Sequence, residues 1–96
     1  MSHVKINRSK RDRNHTEISE AFEKLGASVQ DVSQVPGGLD LIVGINGIDQ
    51  RVEIKDLQGS CKLTEKEDDT FKNWRGRKPV IVYTVHDVKK LIGEMK

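Results

Sequence analysis

The apolar positions of this chain change period several times, and each change marks an element. From Asn14 onward, Ile18, Ala21, Phe22 and Leu25 recur at three- and four-residue steps, which predicts a helix with one apolar stripe. Gly26 is a natural stop for that helix. Residues 27–32 read as a short strand, and Val35-Pro36-Gly37-Gly38 as a turn. Two stronger strand candidates, residues 39–45 and 48–57, flank Asn46-Gly47, a dipeptide that strongly favours a two-residue hairpin turn. Residues 58–62 are a polar loop. Residues 64–74 read as a helix, with Thr64 as N-cap and Glu67 as its capping-box partner. Residues 75–79 break it. Residues 80–85 form a nearly all-apolar strand, expected to be covered on both faces, and residues 87–95 a closing helix. The order α-β-β-β-α-β-α predicts an α/β fold, a central sheet flanked by helices.

The hairpin can be taken further. With Asn46-Gly47 as the two central residues of a type I′ turn, Ile45 faces Ile48, Leu41 faces Val52 and Leu39 faces Ile54. That is one apolar face, so the register checks itself. The other face then sets Asp40 opposite Glu53, with Lys55 two residues on. Facing side chains have Cβ atoms roughly 4.5–5.5 Å apart. Two like charges there repel, and a buried unpaired carboxylate is costly. A divalent cation removes the conflict. Magnesium takes hard oxygen ligands, few of them from protein, and the carbonyl of Ile54 could add to the two carboxylates. Lys55 beside such an ion would hold a water or stabilise negative charge at phosphorus, which is the chemistry of phosphodiester hydrolysis. The plain alternative is a solvent-facing pair with Lys55 as a diagonal salt bridge. Asp40 lies within an apolar run and shares its face with Ile42, which favours the cation.

Composition narrows the class. The 96 residues are 34% apolar and 33% charged, enough for one compact core. No stretch approaches the ~18 uninterrupted apolar residues of a membrane span. No apolar run follows the basic N-terminus, so no secretory signal is expected. Cys61 is the only cysteine, which excludes an intramolecular disulfide and a Cys-based zinc site and fits a reducing cytoplasm. Net charge is +2, but residues 1–14 carry five basic residues, Arg11 and Arg13 among them, against Asp12. A basic, flexible arm (residues 1–12) ahead of a slightly acidic body (13–96) fits either a polyanion partner or a solubilising tail.

Asp40 followed by Glu53-Ile54-Lys55 resembles the D…ExK signature of PD-(D/E)xK nucleases, and the element order is similar to the restriction-endonuclease-like αβββαβ core. More narrowly, residues 13–92 resemble the small stand-alone phage and bacterial VRR-NUC domains. Residues 37–44 resemble their GxPDLxVG strand, Val52-Glu53-Ile54-Lys55-Asp56 their EVKDG segment, and Lys62-Leu63-Thr64 with Trp74-Arg75-Gly76 their KLT…W-G helix. Two departures stand out: Leu39 replaces a structural proline, and Leu57 a glycine. The resemblance implies that Asp40 and Glu53 ligate Mg²⁺ or Mn²⁺, that Lys55 positions the attacking water, and that Glu17 completes the site directly or through a water. Glu17 could equally be the N3 residue of a capping box begun by Asn14.

The resulting expectation is a metal-dependent endonuclease acting on DNA. The resemblance implies a homodimer like a Holliday-junction resolvase, selective for branched DNA, in a bacterial or phage-infected cytoplasm, with a helicase or recombination protein as a further partner. The alternatives are a non-catalytic DNA-binding module or a protein-interaction subunit on the same fold. Arg75, Arg77 and Lys78 contact phosphates or form a solvated turn. Lys62 is placed to touch substrate. His15, two residues before Glu17, does not share its helix face and reads as surface or DNA-contacting, not as a metal ligand. Phe71 and Trp74 read as core, and Cys61 as incidental.

Overall fold

The computed structural model describes residues 14–37, 39–57 and 62–96. The basic arm with Arg11, the adjoining Arg13, Gly38, and the loop residues 58–61 with Cys61 lie outside the described residues. The elements follow the expected order: α1 (His15–Lys24), β1 (Ser28–Asp31), β2 (Leu41–Ile45), β3 (Ile48–Ile54), α2 (Glu65–Asn73), β4 (Val80–Val82) and α3 (Val85–Glu94). The strands form one mixed sheet in the order β1-β2-β3-β4. The first two pairings are antiparallel, and β3 pairs with β4 in parallel, which requires the crossover that α2 supplies.

The hairpin register is the expected one, with Ile45 opposite Ile48 and Leu41 opposite Val52. Asn46 and Gly47 both have positive φ, 55° and 79°, as a type I′ turn demands. Alternation then sorts the side chains. Leu41, Val43, Val52 and Ile54 are fully buried and meet Ile18 and Phe22 of α1 and Val88, Leu91 and Ile92 of α3. Arg51, Glu53 and Lys55 alternate with them and project from the opposite face. Helix α2 is tied to that opposite face through Glu67, yet none of its own residues is buried.

Three expectations change. Strand β4 is shorter than the apolar run and lies at the sheet edge, so Val82 is buried while Val80 and Ile81 stay half-buried. It ends early because Thr84 already caps α3: Thr84 Oγ1 accepts the Asp87 N–H, and Asp87 Oδ2 accepts those of Thr84 and Tyr83. Phe71 and Trp74 are not core. Phe71 is half-buried, and Trp74 is 42% exposed with the Arg51 guanidinium 3.9 Å from its ring centroid, a cation–π contact. Finally, β2 starts at Leu41 rather than Leu39. Leu39 has φ 66°, left-handed backbone that costs a non-glycine residue about 1–2 kcal/mol. Its side chain is buried in that position. A proline, with φ held near about −65°, would not fit this backbone. The departure from the family pattern at Leu39 therefore has a structural counterpart.

Candidate active site

The left-handed turn at Leu39 sets up Asp40. Its N–H donates to the Val52 carbonyl (3.1 Å), and its carboxylate Oδ2 accepts the Ile54 N–H (2.8 Å). The side chain of Asp40 thus takes a strand hydrogen bond beyond the last backbone pair, Leu41 with Val52. Glu53 is in β3 and 2% exposed. Lys55 follows the strand, its N–H donating to the Val82 carbonyl (3.1 Å) and its side chain largely buried. Asp40, Glu53 and Lys55 therefore converge where β2 begins and β3 ends. Ile54, whose carbonyl the sequence suggests as a ligand, is fully buried between Glu53 and Lys55.

Lys55 Nζ lies 3.3 Å from Glu53 Oε2 and 3.3 Å from Glu67 Oε1. The sequence predicts Glu67 only as a capping residue, and it does cap: its Oε1 accepts the Thr64 N–H (2.9 Å) while its own N–H donates to Thr64 Oγ1 (3.2 Å). The same oxygen accepts from Lys55, so the first turn of α2 is part of the site. The sequence signal for the cap is plain, but nothing local says that it stands over Lys55.

The first helix contributes a different residue from the one expected. Asn14 starts α1 but makes no side-chain cap bond, so the capping box with Glu17 does not form. Its Nδ2 donates instead to the carbonyls of Tyr83 (2.8 Å) and Lys55 (3.3 Å), pinning the helix start to the ends of β3 and β4. His15, Ile18 and Phe22 are the buried face of α1. His15 is 4% exposed, correcting its reading as a surface residue, and its Nε2 lies 4.0 Å from Asp40 Oδ1 and from Asp31 Oδ2. Glu17 is exposed, and no described hydrogen bond or ion pair joins it to Asp40 or Glu53. The spacing of His15 with Ile18 and Phe22 is the sequence signal that could have found this residue.

Electrostatics mark the cluster as strained for charge. Burial pushes Glu53 up to about 9, with the Asp40 and Glu67 carboxylates adding to the rise. Burial also raises Asp40, against the opposing effect of the Ile54 N–H. For Lys55, burial works to lower the pKa, and the Glu53 and Glu67 carboxylates outweigh it, so the ammonium is held above its ordinary range. For Glu67, burial is outweighed by the Thr64 N–H and by Glu53 and Lys55, and its pKa falls. Among the described residues three buried side-chain atoms lack a hydrogen-bond partner, and all three belong to residues named above: Asn14 Oδ1, His15 Nε2 and Glu53 Oε1. No three His, Cys, Asp or Glu side chains among the described residues stand as a ready-made metal cage.

A cleft of about 420 Å³ opens beside Asp40 and Glu67, walled by the loop at Ser33 to Gly37 and by Thr64. Thr70 Oγ1 donates to the Gly37 carbonyl (2.8 Å), tying α2 to that loop. Arg75, Arg77 and Lys78 are exposed in the turn after α2. That turn is more than solvated chain: Arg77 Nε donates to Oε1 of the buried Gln50, whose Nε2 donates to the Lys78 carbonyl (2.7 Å). Lys62 is exposed next to the α2 N-cap. No helix among the described residues is long and apolar enough to cross a membrane.

Comparison with family models finds no match, and comparison with curated proteins finds no relative. Among solved structures the chain is similar to one described as a VRR_NUC domain, at 30% identity and a TM-score of 0.62. The match covers 88% of this chain and 95% of that one.

Proposed function

The chain belongs to the VRR-NUC family of nuclease domains, and on that premise we propose that it is a metal-dependent endonuclease hydrolysing DNA phosphodiester bonds. The observation that carries this reading is the convergence of Asp40, Glu53 and Lys55 at one end of the sheet, with the Glu53 carboxyl buried beside the half-buried Asp40 where both cannot comfortably be charged.

The residues fit a divalent cation. Glu53 Oε1 is buried without a partner, and two carboxylates with the Ile54 carbonyl are the hard oxygen donors that Mg²⁺ or Mn²⁺ takes. Bound there, the ion would supply Lewis-acid polarisation of a phosphate oxygen and a more acidic water. Lys55 stays positive, and Glu67 holds its Nζ beside Glu53. In this position the ammonium would orient the attacking water and stabilise the negative charge that develops around phosphorus. Glu17 has no part in this reading.

The substrate reading rests on charge. Arg75, Arg77, Lys78 and Lys62 would meet backbone phosphates, together with Arg11 of the arm and Arg13 next to it. Such contacts position the duplex without reading its sequence. A homodimer would place two sites about a twofold axis, suited to paired cuts in a symmetric branched substrate.

The test is cleavage of a labelled four-way junction beside linear duplex and flap, with Mg²⁺, Mn²⁺ or EDTA, for wild type and Lys55→Ala. Expected is metal-dependent cutting that Lys55→Ala abolishes, with paired symmetric cuts in the junction. Tight DNA binding without cutting under any metal would instead support the binding module. Neither binding nor cutting would support the protein-interaction subunit.

A further inference from the structure

The cleft beside Asp40 has a wall that phosphodiester chemistry does not require. Besides the Asp40 and Glu67 carboxylates, it is lined by Gln34, Val35, Pro36 and Lys66. Val35 is 55% exposed, and Pro36 beside it is exposed as well. A single apolar side chain in water needs no explanation. These two are adjacent and stand in a cavity that also holds a carboxylate of the candidate site. The loop that carries them is fastened at several points. Val32 N–H donates to the Asp40 carbonyl (2.9 Å), which closes the loop at its base, and Val35 N–H donates to the Val32 carbonyl (3.0 Å). Asp31 Oδ1 accepts the Ser33 N–H (2.9 Å) and hydroxyl (2.6 Å). Gly37, at φ 74°, takes backbone that glycine adopts without steric cost, and its carbonyl is held by Thr70 of α2. The apolar wall is therefore preformed.

A cleft of about 420 Å³ lies within the ~300–1,000 Å³ of small-ligand sites, and it suits a single base rather than a base pair held in a duplex. Its lining matches the parts of one nucleotide. An apolar surface is what a base face packs against once it has left the helix. The Gln34 amide has both donors and an acceptor for a base edge. Lys66, exposed in the first turn of α2, is the one cation among the described residues of the lining and offers its charge to a phosphate. We propose that this cleft receives one unpaired base of the strand being cut, packed on Val35 and Pro36, so that cleavage selects phosphates flanked by an unpaired nucleotide. The inference rests on the nuclease reading and adds to it what distinguishes one phosphate from another. A paired base must be unstacked before it can enter, whereas a bulge or branch point supplies one at lower cost.

The experiment uses the full chain and two substrates, a labelled duplex with one unpaired nucleotide and the same duplex fully paired, with Mg²⁺. Wild type, Val35→Asp and Val35→Leu are compared, with circular dichroism confirming the fold. Expected in wild type is a kcat/KM on the order of tenfold higher for the unpaired substrate, cut at a phosphate flanking the unpaired nucleotide. That ratio should fall toward one in Val35→Asp and persist in Val35→Leu, which keeps the wall apolar. A second readout does not depend on cutting. With 2-aminopurine as the unpaired base and Lys55→Ala as the protein, binding should shield the base from acrylamide quenching, and adding Val35→Asp should remove the shielding. Equal cutting of both substrates, or a preference that Val35→Asp leaves unaltered, overturns the role of the cleft and leaves the nuclease reading standing. A bound 2-aminopurine as open to acrylamide as the free one does the same. Shielding that Val35→Asp removes, without cutting of any substrate, supports the cleft and overturns the nuclease reading. Neither cutting nor shielding overturns both.

Discussion

Without metal, Glu53 holds its proton at pH 7, because burial and the Asp40 carboxyl push its pKa up to about 9. The folded state then binds a proton that the unfolded chain has released, so stability falls as pH rises. For Glu53 this loss runs from about its ordinary carboxylate value of 4.5 up to about 9, and Asp40, also raised, adds to it in the same direction. Lys55, raised, keeps its contribution throughout that window, and Glu67, lowered, loses its own only in acid. Chemical denaturation of the metal-free protein at pH 5, 7 and 9 should therefore show declining stability, and Glu53→Gln should flatten the decline. A profile that Glu53→Gln leaves unchanged would remove Glu53 as its source. Because ligands bind metal deprotonated, Mg²⁺ uptake at pH 7 should also release about one proton, seen as a buffer-dependent heat in titration calorimetry.

Two helices begin with the same device and differ in what it touches. Thr64 with Glu67 and Thr84 with Asp87 are both complete capping boxes. Removing either threonine side chain should cost about 1 kcal/mol of stability. Only the first box shares an oxygen with Lys55, through Glu67 Oε1. Thr64→Ala should therefore lower kcat for DNA cleavage as well, while Thr84→Ala changes the denaturation midpoint and leaves kcat near wild type. Equal kcat in the two variants would mean that α2 does not hold Lys55 in place during catalysis. The third helix start, at Asn14, has no such box, and its side chain docks the helix onto the sheet instead.

Across the whole molecule, labour divides by face. One face of the sheet carries the core under α1 and α3, and the other carries Arg51, Glu53 and Lys55, with α2 lending Glu67 but burying nothing. The candidate site side chains are thus interleaved with core residues along β3, and the strand cannot shift by one residue without exchanging the two sets. The basic turn stands at a distance from the carboxylates along the chain and is anchored by Gln50 through Arg77. Arg75→Gln with Lys78→Gln spares that anchor. If these residues meet DNA phosphates, the double variant should bind duplex more weakly at low salt. The slope of log affinity against log salt should become shallower by about 0.9 for each phosphate no longer neutralised. An unchanged slope would take the turn out of the DNA-binding face.

Legibility in the sequence follows the range of the forces involved. The strand alternation, the Asn46-Gly47 turn with its register, and the Thr64 capping box are set by neighbours, and they suffice to bring Asp40, Glu53 and Lys55 to one region of the sheet. The length of β4 departs from the expectation although its signal, Thr84 three residues before Asp87, is equally local. His15 and the second role of Glu67 belong to another kind. His15 enters the site because Asn14 reaches carbonyls 41 and 69 residues away, and Glu67 because the crossover lays α2 over Lys55. The pKa of Glu53 likewise comes from burial and from carboxyls on other elements. Spacing along the chain carries side-chain periodicity, turns and caps. It does not carry which helix face docks where, or how much water a carboxylate loses, because both follow from packing between segments far apart in sequence.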